Sequence, residues 1–379
     1  NSWAKMEFRL SYEKVLEVSD FFKENLQNNN FENNGIVYIG MDAGWAKMSD
    51  EQLADIARHC KANGQKAGIY FTPFSDWGRD PEAYINGSSG YKCKDAYLYA
   101  NGKTQNMVAG GLAMDPTHPA IKERIRETAE RFKRLGYEYI KIDFLTHGCA
   151  EADYYYDPEV QTGMQAYNKG MAYLLEQMEG MYITMAISPL FPSQYAHSRR
   201  IACDAWAGIG DTEYTLNSLT YGWWLNQVYT YNDPDHLLLE PVSDGENRAR
   251  ITSGVITGIF MNGDDLSCIS GIQVAKDKAR KFLTNKDINA IAKMGKSFRP
   301  VSGNMDGADF LFMHDTGKEV YLAAFNYSGY DLTYDLPLSR LGLRESSTYK
   351  AKELWSGKEV KFKKNVEDVH MEKSNMYNN

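Results

Sequence analysis

Short runs rich in β-branched and aromatic residues alternate, over the first three-quarters of the chain, with longer stretches whose apolar positions recur at helical spacing. The first complete example is GIVYIGMDAGW at 35–45, strand-like through VYIG and then turning polar. SDEQLADIARHCKANG at 49–64 follows as a helix, with Ser49 placed to cap its start and Gly64 to stop it. QKAGIYF at 65–71 is the next strand. The amphipathic run 119–136 ends at Gly136 and leads into the strand YEYIKIDF at 137–144. A helix at 160–180 precedes the strand MYITMAIS at 181–188, and RRIACDAW at 199–206 reads as a further strand. Helical sequence at 214–229, a short strand HLLLE at 236–240, a helix running into a strand over 247–261 and helical sequence at 277–285 complete the series.

Counted from NSW at 1–3 to GIFMNG, the strands number eight, each followed by helical sequence. Such alternation demands parallel strands, and eight units in this length predict a closed (β/α)8 TIM barrel, an α/β fold, over residues 1–298. NSW reads as the end of a strand, so the barrel is expected to be cut at its first strand. A doubly wound open sheet is the runner-up architecture, with no glycine-rich phosphate loop to support it. From 309 onward the runs shorten and alternate (DFLFMH, EVYLAAFNY, LTYDLP), which predicts a small C-terminal antiparallel β domain over 299–379. The connection 75–116 is long for a compact domain and follows a strand, so it is expected to cover the active face, with Asp76 and Trp77 as candidate subsite contacts.

Composition narrows the function. A net charge of −8 with no Lys/Arg block argues against nucleic acid as a partner. The apolar runs are too short to span a membrane. The 26 Tyr and 7 Trp offer flat apolar faces with polar edges, which suits either a carbohydrate site or a large barrel core. Cysteines at 60, 93, 149, 203 and 268 have neither zinc nor redox spacing, so scattered free or buried thiols are expected, with one bridge as the alternative. No signal peptide is visible, and a secreted or periplasmic location is the expectation.

In such a barrel the chemistry sits at the C-terminal strand ends. The strands deliver Asp42 and Trp45, Lys141 and Asp143, Arg200 and Asp204, then Asp233 and Asp235 of NDPDH, then Asp264 and Asp265 of NGDDL. Buried acids in this number are costly without a purpose, and they point to a metal site or to carboxylate catalysis. A metal is the weaker choice, because no HxH or HExxH spacing occurs and Lys141 and Arg200 would compete with it. No cofactor is expected. Glycoside hydrolysis needs two carboxyl groups. Lys141 lies two residues before Asp143 and faces the same side, which would keep a nucleophile ionised. Trp206, two residues after Asp204, would partly desolvate it, as an acid/base requires.

At these residues the chain resembles the retaining α-galactosidases, the melibiase-like clan. Lys-x-Asp on the fourth strand is matched by Lys141 and Asp143, and the arginine four residues before the acid/base aspartate by Arg200 and Asp204. Asp-Pro-Asp follows at Asp233, Pro234 and Asp235, and MDAGW stands at the second strand's Asp-Asp-small-Trp motif. The resemblance implies a retaining exo-acting α-glycosidase with Asp143 as nucleophile and Asp204 as acid/base. It places Asp42 and Lys141 on sugar hydroxyls, Arg200 beside the 2-position and Trp45 near the sugar; Trp206, as a tryptophan at the barrel mouth, is a further candidate sugar contact, with packing as the alternative. Two departures alter the pocket. Ala43 replaces an acid that holds the galactose 4- and 6-hydroxyls, and Ile187 and Ser188 stand where the clan often carries a glutamate that reads the 2-hydroxyl; Ser188 is the candidate replacement. The expected partner is an oligosaccharide or other glycoside. Galactose, N-acetylgalactosamine and β-L-arabinopyranose all remain as sugars. A transglycosylase, a non-catalytic carbohydrate-binding barrel and a carboxylate-bound metal lyase or isomerase are the rival functions.

Overall fold

The computed structural model describes residues 1–206, 208–303, 306–363 and 365–371. By packing, the chain forms two compact units, one of residues 7–19 and 38–199, the other of 1–6, 20–37 and 200–379.

The first unit is built on parallel strands β1 (Tyr38–Gly40), β2 (Lys66–Phe71), β3 (Tyr137–Ile142), β4 (Tyr182–Met185) and β5 (Ser198–Arg200, of which Ser198 and Arg199 belong to this unit), paired in chain order. Their connections are helices α1 (Asp50–Ala62), α2 (Pro119–Leu135) and α3 (Gly163–Gln177). Local chemistry fixes the helix ends. Ser49 and Gln52 form a reciprocal capping box at α1, and Thr162 with Gln165 does the same at α3. Gly136 closes α2 at φ 96°, a left-handed conformation that favours glycine.

Strand alternation sorts the side chains. On β3, Ile140 and Ile142 are fully buried on one face, while Tyr139, Lys141 and, just beyond the strand, Asp143 take the other. Tyr38, Tyr139 and Tyr182 form a ring cluster with centroids 5.2–5.7 Å apart, and His197 stacks on Tyr182 at 5.1 Å. Gly68 makes room for it: a Cβ there would lie 2.1 Å from Tyr139 Cδ1. Register places Gly68 opposite Tyr139. The tyrosines thus fill the inward face below the strand ends, and the polar residues stand above them.

The second unit has parallel pairing of its own. Ile201 N–H donates to the Asp233 carbonyl at the end of β6 (Tyr231–Asp233), and Asn232 and Leu237 form parallel bridges with Gly258 and Asn262. Helices α4 (Ile209–Gly222) and α5 (Asp244–Thr257) accompany them. Antiparallel strands then follow, Arg299–Pro300 with Leu311–Asp315 and Val320–Ala324, Leu332–Pro337 with Asn365–Met371, and Thr348–Lys352 with Glu359–Lys363. Leu311, Met313, Leu336 and Leu341 form their core. The last eight residues of the predicted β domain, 372–379, lie outside the described residues.

Three sequence expectations are corrected. NSW does not read out as a strand: Trp3–Met6 is helical, because Asn1 Oδ1 accepts the Trp3 N–H and so caps a helix start. The strand that follows RIACD is Tyr231–Asp233 rather than HLLLE, of which Leu237 alone forms a bridge, since Asp235 at φ 76° breaks the run between them. The helix expected at 214–229 spans Ile209–Gly222 and then tightens into a 3-10 turn at Trp223–Gln227. All five cysteines are free thiols. Among the described residues no helix is long and apolar enough to cross a membrane.

Gly68→Ala should destabilise the protein by about 1–3 kcal/mol, because the Tyr139 ring is held between Tyr38 and Tyr182 and cannot move aside freely. Thermal melting reads this directly. An unchanged midpoint would mean that the tyrosine cluster is loosely packed.

Candidate active site

In the first unit, three strand ends bring four polar side chains onto one face. Asp42, after β1, caps the 3-10 turn Ala43–Lys47 by accepting the Ala43 N–H at 2.8 Å. Its other oxygen accepts from Lys141 Nζ on β3 at 2.8 Å. The pair is buried, the side chains 5% and 11% exposed. Lys141 Nζ also lies 5.5 Å from the centre of the Tyr70 ring on β2. Tyr70 Oη donates to Asp143 Oδ2 at 3.3 Å, and the Phe144 N–H donates to Asp143 Oδ1 at 2.7 Å. The Asp143 N–H is taken by the Phe71 carbonyl, so the residue continues the β2–β3 pairing one step past the strand. Phe144 then turns sharply, at φ 55°. Asp143 is thus a buried carboxylate gripped by one N–H and one hydroxyl, with the Asp42–Lys141 ion pair on the same side of the strand.

In the second unit the organiser is Arg200. It is buried, and its guanidinium reaches Asp204 Oδ1 at 2.5 Å and Asp235 Oδ1 at 3.1 Å while Nε donates to the Ala202 carbonyl at 2.9 Å. Burial opposes the charge, but Asp235, Asp233 and Asp204 together outweigh it and hold the guanidinium pKa above its ordinary value. Asp235 Oδ2 accepts the Ala205 N–H at 2.9 Å and so fixes the segment that carries Asp204. Asp233 in turn accepts the Asp235 N–H at 2.8 Å. Asp204 itself is half-exposed, its side chain 45% accessible. Three carboxylates therefore gather around a guanidinium. Among the described residues no three His, Cys, Asp or Glu side chains are placed to share one metal ion.

The remaining candidates fall in varied places. Trp45 gives its indole N–H to the Tyr70 carbonyl at 2.8 Å, and its ring packs edge-on to Phe132 of α2 beside Arg131, which ties it to the helix layer. Ser188 is buried with its hydroxyl unpaired among the described residues, after Ile187 in a left-handed conformation at φ 42°. Trp206 does not enclose Asp204 as expected. Its N–H caps onto Asp211 Oδ2 at 3.0 Å and its side chain is exposed, and the partner of Asp204 is the ionic Arg200. Asp76 is a loop tie that accepts the Gly78 and Arg79 N–H groups and the Tyr97 hydroxyl. Asp264 accepts the Leu239 and Glu240 N–H groups, and burial raises its pKa against those bonds.

Sequence reasoning missed two residues. Tyr70 was legible only as a strand residue, although its alternation with Gly68 already places it inward. Arg250, fully buried on α5, donates to the Leu238 and Trp206 carbonyls at 2.5 Å each and so anchors the segment after Asp204. A lone arginine within an amphipathic helix carries no sequence signal for that role.

Known proteins share this arrangement of chain. Residues 311–376 match the alpha galactosidase C-terminal beta sandwich domain. The chain is similar to a family-27 glycoside hydrolase, the β-L-arabinopyranosidase of Geobacillus stearothermophilus, at TM-score 0.75 and 14% identity over 98% of this chain and 92% of that one. It is similar to a putative α-N-acetylgalactosaminidase of Bacillus halodurans at TM-score 0.69 and 15% identity, covering 98% and 94%. The α-galactosidase of Saccharomyces cerevisiae follows at TM-score 0.61 and 15% identity, covering 93% and 80%. The fold is that of a (β/α)8 barrel followed by a small antiparallel β domain. The resemblance to the α-galactosidase-like clan, first carried by YIKIDF and RIACD, extends to fold and C-terminal domain.

Asp42→Ala leaves the Lys141 ammonium buried without its carboxylate and should cost about 3–5 kcal/mol of stability. The double variant Asp42→Ala/Lys141→Met should regain part of the loss in urea denaturation. Additive losses in the two variants would show that the pair is not coupled.

Proposed function

We propose that the protein is a retaining exo-acting α-glycosidase. The observation that carries the reading is the grip on Asp143: a buried carboxylate at a strand end, oriented by the Phe144 N–H and the Tyr70 hydroxyl, with Lys141 and Asp42 beside it. The C-terminal domain match and the fold shared with glycoside hydrolases support it.

Asp143 attacks the anomeric carbon as Asp204 gives its proton to the leaving oxygen, so the glycosidic C–O bond breaks as a glycosyl ester to Asp143 forms. Asp204, now ionised, takes a proton from water, whose oxygen attacks the same carbon, and the ester bond to Asp143 breaks. Arg200 positions Asp204 and stabilises its ionised form between the two steps. A rotation about the side chain of Asp204 suffices to release it from Arg200, because that side chain is half-exposed. Lys141 and Asp42 bind sugar hydroxyls, and Ser188 offers for one more a buried hydroxyl that has no partner among the described residues. Trp45 supports this group from behind through Tyr70. In this reading the barrel occupies 1–298 and the β domain 299–379, and the enzyme works on glycosides outside the cytoplasm.

Ala43 favours a second reading of the sugar. β-L-arabinopyranose shares the ring configuration of α-D-galactopyranose but lacks the C6 hydroxymethyl group. An acid that would hold the 4- and 6-hydroxyls is replaced here by Ala43, so a sugar without the 6-hydroxyl forfeits only the 4-hydroxyl contact at this position, where galactose forfeits both. α-N-Acetylgalactosaminides and transfer to sugar acceptors are the other outcomes to measure.

A panel of nitrophenyl α-D-galactoside, α-N-acetylgalactosaminide and β-L-arabinopyranoside tests the reading. Asp143→Ala should lower kcat by about 10⁴-fold or more with the fold intact. Asp204→Ala should lose about 10²–10⁴-fold. Azide should restore turnover in both variants, giving a glycosyl azide of retained configuration with Asp204→Ala and inverted configuration with Asp143→Ala. Retained product from Asp143→Ala would remove it as the nucleophile.

A further inference from the structure

The loop 75–116 holds a tryptophan that is fixed on several sides and open on another. Trp77 Nε1 donates to Thr72 Oγ1 at 3.1 Å. Its ring lies edge-on to Phe144, centroids 4.6 Å apart, and tilts against His147 at 5.8 Å. The residue is nevertheless 41% exposed. A single exposed aromatic means little by itself; its attachment is what matters here. Thr72 follows Phe71, whose carbonyl takes the Asp143 N–H, and Phe144 follows Asp143 directly and donates to its carboxylate. Trp77 is therefore pinned by the residues that flank the candidate nucleophile on two strands.

The loop is shaped to keep it there. Gly111 approaches so closely that a Cβ would sit 2.7 Å from His147 Nε2 and 3.0 Å from two indole carbons. Its φ of −66° is open to any residue, so the glycine serves space rather than conformation. Asp76 is tied into its own loop and partly buried, whereas the indole beside it is exposed.

Direction along the barrel decides what the indole meets. On β3 the chain runs from Lys141 through Asp143 to Phe144, from the interior toward the mouth. The groups assigned to sugar hydroxyls, Asp42 and Lys141, lie below Asp143, and Trp77 lies above it. A pyranoside with its hydroxyls on Lys141 and its anomeric carbon at Asp143 sends its leaving group outward. We infer that Trp77 is the platform for the leaving group, stacking on the C–H face of a second sugar ring or on an aryl aglycone. The inference rests on the glycosidase reading above.

The test compares leaving groups at constant glycone, with melibiose, 4-nitrophenyl α-D-galactoside and α-D-galactosyl fluoride, and the nitrophenyl and fluoride pair of β-L-arabinopyranose alongside. Fluoride is too small to stack. Trp77→Ala should lower kcat/KM for melibiose or the nitrophenyl glycoside relative to the fluoride by about tenfold, mostly through KM. Trp77→Phe should keep most of that ratio. Gly111→Ala, which displaces the ring without altering it, should reproduce the Trp77→Ala pattern, and both conservative variants keep the test available if Trp77→Ala melts early. Equal losses on ring-bearing and fluoride substrates would make Trp77 a loop support and overturn the inference, as would an unchanged ratio. A wild-type enzyme that releases sugar from none of these substrates would instead remove the glycosidase reading beneath it.

Discussion

One buried ammonium organises the polar cluster of the first unit. Lys141 is 11% exposed at its side chain, and a charge so placed is tolerable only if its partners come with it. Asp42 supplies the counter-charge from β1 and the Tyr70 ring supplies a polarisable face from β2. The cation therefore binds three strand ends to one another. Tyr70, so placed, has its hydroxyl within reach of Asp143. The orientation of the candidate nucleophile is thus a consequence of satisfying a lysine two residues earlier.

The second unit repeats the device with an arginine. Arg200 is buried among Asp233, Asp235 and Asp204, and its planar fork reaches two of their carboxylates at once. Asp235 has a double task, since its second oxygen fixes the Ala205 N–H. Arg250 secures the same segment from the other side through the Trp206 carbonyl. The Asp204 side chain is left half-exposed on a backbone that is held at several points. The acid/base role proposed for Asp204 needs a route for its proton to and from water, and that exposure provides one.

Beneath the polar ends lies the reason they point inward. Strand period alone sends Tyr139, Lys141 and Asp143 to one face, and Gly68 provides the volume for the tyrosine. A pure alternation of large residues would have overfilled this layer. Aromatic bulk concentrated in 38, 139 and 182, set against glycine at 40 and 68, is how the interior is packed. The abundance of tyrosine therefore has a structural use here as well as any use in sugar binding.

What the sequence determined by itself was whatever depends on local period and capping. YEYIKIDF read as a strand with Lys141 and Asp143 on one face because that face is fixed by alternation, and Ser49 and Gly136 marked helix ends because capping is a matter of adjacent residues. Tertiary structure alone decided which side chains meet. Asp42 takes Lys141 across 99 residues, Arg250 reaches Trp206 across 44, and Trp45 turns to α2 while Trp77 remains open. Edges of strands also escaped local reading: NSW became helical through a cap on Asn1, and HLLLE gave way to Tyr231–Asp233, because a strand exists only where a neighbour accepts its hydrogen bonds. Partners distant in sequence leave no periodic trace, so the strand-end positions of Lys141 and Asp143 were legible and their environment was not.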